Sequence, residues 1–254
     1  MTVRADHRSG IAPNPEGEAY SFATLRIPLS APAIVRGVLT VLLTRHGHTP
    51  LSEPEQYLGQ RMDPPIDARG RRDARALATR LEPVQIERVL TSPLKRAQQT
   101  AAIVAAPHKV TVEIDTRLIE LDYGSWEGHT IDQINRAFPG EHARYDANPA
   151  DHPVGGGESG KDVARRLRPV IAELLKWAEG DGKEHTCLLV GHSSTNRLLL
   201  ALLTGVKLAD YRRRFDQDWD NLTVLYWPDR ASGPILRLAN DLSHARGISG
   251  VTWG

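Results

Sequence analysis

The first regular pattern along the chain is VLTVLL at residues 38–43, a short apolar, β-branched run that reads as a buried strand of a parallel sheet. The spacing then turns helical in DARGRRDARALATRLE (67–82), which sets Ala74, Leu77, Ala78 and Leu81 on one face. RVLTS (88–92) reads as a second strand. PLKRAQQTAAIVAA (93–106) follows as a helix, with Ser92 its expected N-cap and Pro93 in its first turn. VTVEI (110–114) is a third strand. GGES (156–159) leads into a long helix, where Ser159 and Asp162 form the Ser-x-x-Asp variant of a capping box. TCLLVGH (186–192) is a fourth strand, and RLLLALLTG (197–205) continues as a helix. NLTVLYW and PILRLA close the pattern as a strand pair around the turn PDRASG.

Strands alternating with helices predict an α/β fold, a three-layer sandwich with a mostly parallel β-sheet and helices on both faces. Residues 1–36 lack this regularity and carry Pro13, Pro15, Pro28 and Pro32. They are expected to form a loosely ordered N-terminal arm with one extended piece around SFATLRI, leaving 37–254 as the folded domain.

Composition adds only bounds. The 254 residues, 40% hydrophobic and 25% charged, suit one large globular domain or two small ones. Lys and Arg total 32 against 31 Asp and Glu, so nothing in the charge balance favours nucleic acid or an anionic membrane. No apolar run approaches the roughly 20 residues that span a bilayer, and MTVRADHRSG has no secretory apolar core. Cys187 is the only cysteine, which excludes an internal disulfide and a thiolate metal cluster. A cytoplasmic protein is the default expectation, and a homodimer is left open.

The polar punctuation is more informative. The first strand ends in Arg45 and His46, the second runs through TSP into a helix whose first turns carry Arg96, and the fourth ends at Gly191-His192. In a parallel sheet the carboxyl ends of the strands share one edge, and ligands bind there. Two arginines and two histidines gathered at that edge need a compensating anion, and phosphate fits the fork of a guanidinium best. A neutral imidazole at His46 can attack phosphorus and form a phosphohistidine that water then hydrolyses. The departing alcohol needs a proton donor, for which the candidate is Glu120 in RLIELDYGSWEG, with Asp122 and Glu127 as neighbouring alternatives. His192 would clamp phosphoryl oxygens.

At these residues the chain resembles the phosphatase branch of the histidine phosphatase superfamily, the phosphoglycerate mutase-like proteins. LLTRHGHT, TSPLKRAQQTA, LIELDYGSWEG and VGHSS carry the resemblance, supported in order by LGQRMDPPIDARGRRDA and GGES. It extends from about Val38 to Ala239. The resemblance implies a phosphate pocket of Arg45, His46, Arg96 and His192, with His46 the nucleophile, Glu120 the acid, and no metal or other cofactor. It adds Ser52, Gly59, Gln60 and Ser193 as phosphate or substrate contacts. Three positions depart from the family pattern: Ser52 stands where asparagine is usual, His48 where glutamate or glutamine is commoner, and Ser193 where glycine follows the second histidine.

The expected activity is hydrolysis of a small phosphomonoester, with phosphoglycerate mutase-type transfer and a non-catalytic phosphate-binding domain as alternatives. Specificity is expected to lie in residues 121–160 and 205–220. Trp126 and Cys187 read as packing residues, His48 as a rim residue without a chemical role, and Arg212–Arg214 as a solvated helix face that adds positive field at most.

Overall fold

The computed structural model describes residues 38–179 and 181–246; the arm expected over residues 1–36, including SFATLRI, lies outside them. Six strands make one sheet: β1 Val38–Arg45, β2 Arg88–Thr91, β3 Val112–Ile114, β4 Glu184–Gly191, β5 Leu222–Trp227 and β6 Ile235–Asp241, in the order β3-β2-β4-β1-β5-β6. The first four strands in that order run parallel, while β5 and β6 add antiparallel at one edge. The α/β sandwich predicted from the sequence is therefore present.

The helices are α1 Ala68–Leu81, α2 Lys95–Ala105, α3 Ile131–Ala137, α4 Pro139–Ala147, α5 Gly160–Trp177, α6 Ser193–Thr204, α7 Tyr211–Arg214 and α8 Ser243–Arg246. Alternation along the central strands divides the core into two layers. Leu39, Val41 and Leu43 of β1, with Cys187 and Leu189 of β4, face α5 and α6. Leu42, Leu188 and Val190 face α1 and α2 on the other side. The period of two is thus used on both faces, which is why these strands read as unbroken apolar runs. All four residues expected on the apolar face of α1 are buried, and Trp126 and Cys187 are fully enclosed.

Helix starts show where local reading holds and where it fails. Ser159 accepts from the Asp162 N–H while the Asp162 carboxylate accepts from the Ser159 N–H, so the capping box of α5 forms as expected. Ser92 is not the N-cap of α2. Pro93 and an extended Leu94 delay the helix to Lys95, whose N–H donates to Asp63 Oδ2 at 2.9 Å. Ser92 stays with β2, donating its N–H to Val190 O, and its hydroxyl is taken by His192.

α3 and α4 have no counterpart in the sequence reading. Each buries a single side chain, Ile134 and Tyr145, too few to print a helical period.

Candidate active site

The register of the sheet builds the site. Arg45 of β1 lies opposite Gly191 of β4, and the His46 N–H donates to Gly191 O at 3.0 Å. His46 and His192 therefore leave adjacent strands at the same height, with ring centroids 5.1 Å apart. The join is tight. A Cβ on Gly191 would meet Asn196 Oδ1 at 2.3 Å, and Asn196 Nδ2 donates to Thr44 O at 3.0 Å. The first turn of α6 is thereby fixed to the end of β1.

His46 is buried, and its Nδ1 contacts Gly47 O at 2.8 Å. A carbonyl can only accept, so Nδ1 carries the proton and Nε2 keeps the lone pair. Burial first, then the charges of Arg96 and Arg45, hold this imidazole well below the ordinary histidine range. His192 is held low in the same way, by burial and then by Arg96, His46 and Arg45. Its Nε2 lies 2.7 Å from Ser92 Oγ, while Nδ1 has no protein partner.

Both arginines are anchored from behind. Arg96 is fully buried and donates to Met62 O, Leu58 O and Gly59 O. Burial brings its pKa down to about 10, still high enough to keep the charge at neutral pH. Arg45 donates to Gln217 O at 3.0 Å and to Glu55 at 3.1 Å, and its guanidinium stacks on Trp219 at 4.7 Å. The Nε atoms of Arg45 and Arg96 are buried and unpaired, like Nδ1 of His192. Buried polar atoms are nearly always satisfied, and these three exceptions sit on side chains at or beneath the floor around His46, where an added oxyanion can satisfy them.

Glu120 is buried across from His46 in an unusual setting. Its Oε1 accepts from the Leu121 N–H, the Thr195 N–H and the Thr195 hydroxyl, while Oε2 accepts only from the Ser194 N–H at 3.1 Å. The carboxylate caps the otherwise uncapped start of α6 from a distant segment. Asp122 and Glu127 are employed elsewhere: Asp122 takes the Gly124 N–H, and Glu127 takes the N–H groups of Gln60, Arg61 and Met62.

A cleft of about 330 Å³ opens over this floor. Of the residues expected from the sequence, Arg45, His46, Ser52, Glu120 and Ser193 line it, whereas Asp122 and Glu127 do not. Arg96 and His192 lie beneath the surface. Gly59 and Gln60 are not on the wall: Gly59 O holds Arg96, and Gln60 Nε2 holds Glu120 O at 2.8 Å. The Ser52 hydroxyl is already committed to the Thr49 N–H and the Thr49 hydroxyl, at 3.0 and 3.1 Å. His48, expected at the rim, does not line the cleft and pairs with Asp67 at 2.6 Å.

The remaining wall was not anticipated residue by residue. Tyr57, Tyr123, Ile131 and the run Asp216–Trp219 line it, and so does Arg212. Reading Arg212–Arg214 as one solvated face is corrected: Arg213 and Arg214 are exposed, but Arg212 turns inward against the Tyr145 ring, 5.0 Å from its centroid. The signal that finds it is tertiary, a set of tyrosines brought in from three separate segments. Among the described residues no cluster of three or more His, Cys, Asp or Glu is arranged to hold a metal ion.

The protonation states can be checked directly. Burial works to lower His185, but its bonds to Asp181 and Glu87 outweigh that and raise it. In an NMR titration of the imidazoles, His46 and His192 are expected to stay neutral from about pH 8 to about pH 6, while His185 titrates above the model-peptide value of about 6.5. A His46 midpoint at or above that value would contradict the site electrostatics.

Comparison with known proteins gives a consistent result. A model of the histidine phosphatase superfamily (branch 1) matches residues 41–241. The chain is 31% identical over 209 residues to a probable phosphoglycerate mutase of Enterobacter sp., covering 82% of this chain and 95% of that protein. It is 34% identical over 177 residues to a glucosyl-3-phosphoglycerate phosphatase of Mycobacterium tuberculosis, covering 67% and 78% respectively. Among solved structures it is similar to YhfR of Bacillus stearothermophilus, with a TM-score of 0.73, 28% identity, and 82% and 99% of the two chains covered.

Proposed function

This chain belongs to branch 1 of the histidine phosphatase superfamily and is a phosphatase, and we propose that it hydrolyses a small phosphomonoester through a phosphohistidine on His46. The observation that carries the assignment is the Nδ1 contact to Gly47 O, which leaves Nε2 as the attacking atom beside Arg45, Arg96 and His192. Nε2 forms a bond to phosphorus as the bond to the alcohol oxygen breaks. The guanidinium groups and His192 hold the phosphoryl oxygens so that the three reacting atoms stay in line. Glu120 supplies the proton to the leaving oxygen from Oε2, whose second lone pair faces no backbone donor. Its carboxylate then takes a proton from the water that attacks phosphohistidine, which returns the enzyme to its starting state and releases inorganic phosphate.

The relatives act, by their names, on phosphoglycerate and on a glucosylated phosphoglycerate. Compounds of that kind are the first substrates to try. Hydrolysis is favoured over mutase-type transfer because Leu121–Thr130, the segment that follows the acid, carries no Arg or Lys to turn a second anionic group back toward the phosphohistidine. No helix among the described residues is long and apolar enough to cross a membrane, and we place the enzyme in the cytoplasm.

The test is a panel of phosphomonoesters assayed for inorganic phosphate release. Turnover is expected to persist in excess EDTA and to be inhibited by vanadate, whose five-coordinate oxyanion resembles the in-line phosphoryl centre. Activity lost on chelation and restored by Mg²⁺ would overturn the metal-free mechanism. Conversion of 3-phosphoglycerate to its isomer without phosphate release would replace hydrolysis with transfer.

A further inference from the structure

Three arginines line the cleft, and two of them have carboxylate partners. Arg45 pairs with Glu55 at 3.1 Å, and Arg197 lies 3.8 Å from Asp216. Arg212 has no carboxylate within ion-pair distance among the described residues. Its Nη2 reaches only the Tyr57 hydroxyl, at 3.4 Å, its guanidinium lies over the Tyr145 ring, and Nη1 is buried without a partner. Of the other acidic groups lining the cleft, Glu120 is held by the N–H groups of Leu121, Ser194 and Thr195, and Asp218 accepts from Asn240 at 3.2 Å. The Tyr145 ring stabilises the guanidinium in part, but a half-buried cation with an unpartnered Nη1 and no counter-ion is completed by a ligand that brings negative charge.

The wall says which part of the ligand that is. Ser194, whose N–H holds Glu120 Oε2, contacts the Tyr123 hydroxyl at 2.6 Å through its own hydroxyl. Tyr123 packs edge-on against Tyr57 at 4.8 Å, and Tyr57 contacts Arg212. The surface is thus continuous from the proton donor to the unpaired arginine. A leaving alcohol whose bridging oxygen lies at Glu120 extends along it. We propose that Arg212 is a specificity residue that reads an anionic group on the leaving alcohol, a carboxylate or a second phosphate, so that the preferred substrates are phosphomonoesters of acidic alcohols. This rests on the phosphatase reading above and adds to it the class of alcohol.

The experiment compares kcat and KM for O-phosphoserine and 3-phosphoglycerate (carboxylate), fructose 1,6-bisphosphate (second phosphate) and β-glycerol phosphate (neutral alcohol). The wild type is expected to prefer one of the anionic classes, and which one identifies the group. Charge-assisted hydrogen bonds of this kind correspond to roughly 10–100-fold in affinity, so Arg212→Met should lower the ratio of kcat/KM for the preferred anionic ester over β-glycerol phosphate by about that factor, chiefly through KM. Arg212→Lys should restore part of the ratio. If the methionine variant does not fold, the lysine variant alone must still depress the ratio. A wild type without preference for anionic alcohols, or equal losses on all esters in both variants, would sink the subsite while leaving the phosphatase standing. Failure to hydrolyse any ester, with no label on His46, would take both down.

Discussion

His46→Ala is expected to abolish turnover, with a loss on the order of 10⁴–10⁶-fold, the scale seen when a covalent nucleophile is removed from an enzyme. The fold should survive. The neutral imidazole's one protein hydrogen bond is to the carbonyl of the next residue, so alanine breaks no bond to another element of the fold. Wild-type protein quenched in alkali during turnover of a labelled ester should carry phosphohistidine, and the variant should carry none. Label found on His192 in the wild type would exchange the roles of the two rings. The geometry argues against that, since His192 Nε2 is tied to Ser92 and the ring is fully buried beneath the cleft.

The second large effect concerns Glu120. A sugar or glycerate alkoxide must be protonated as its bond to phosphorus breaks, whereas nitrophenolate leaves readily as an anion. General acid assistance is worth about 10²–10⁴ in rate, so Glu120→Gln should cost about that on alkyl phosphates and far less on p-nitrophenyl phosphate, in the phosphorylation step measured before steady state. The amide also turns a donor toward the Ser194 N–H, which leaves a helix-terminal donor unsatisfied at about 1–3 kcal/mol. The melting temperature should therefore fall alongside the rate, and the comparison of two leaving groups in one variant separates the chemistry from that loss. Equal losses on both esters would remove Glu120 as the acid. Asp122 and Glu127 are poor replacements, because both are bound into loops off the cleft.

Much of this was legible in the sequence because the informative signals are short-range. A strand buried on both faces prints as VLTVLL, and a polar pair at its end marks the sheet edge where β1 meets β4. The face of α1 and the capping box of α5 depend on residues three and four apart, and both are present. What failed depends on distant segments. Ser92 has the identity of a cap, but a histidine 100 residues away uses its hydroxyl. Gly59 and Gln60 are expected as phosphate or substrate contacts, yet Gly59 O holds Arg96 and Gln60 Nε2 holds Glu120 O from behind. Arg212 stands in a run of three arginines that looks uniform, and only the meeting of Tyr57, Tyr145 and Tyr211 makes one of them different.

The lock between β1, β4 and α6 has a consequence for how such an enzyme can be altered. His46, His192 and Glu120 are all placed through main-chain groups: the His46 N–H bonds to Gly191 O, and the Ser194 and Thr195 N–H groups bond to Glu120. The outer wall is placed differently, by side chains that come from loops and short helices, among them Tyr57, Ile131 and Arg212. On the proposed mechanism, the reaction and the choice of alcohol therefore rest on separate structural sources. A library confined to Tyr57, Ile131 and Arg212 explores new leaving groups without disturbing the backbone frame that aligns phosphorus with the imidazole.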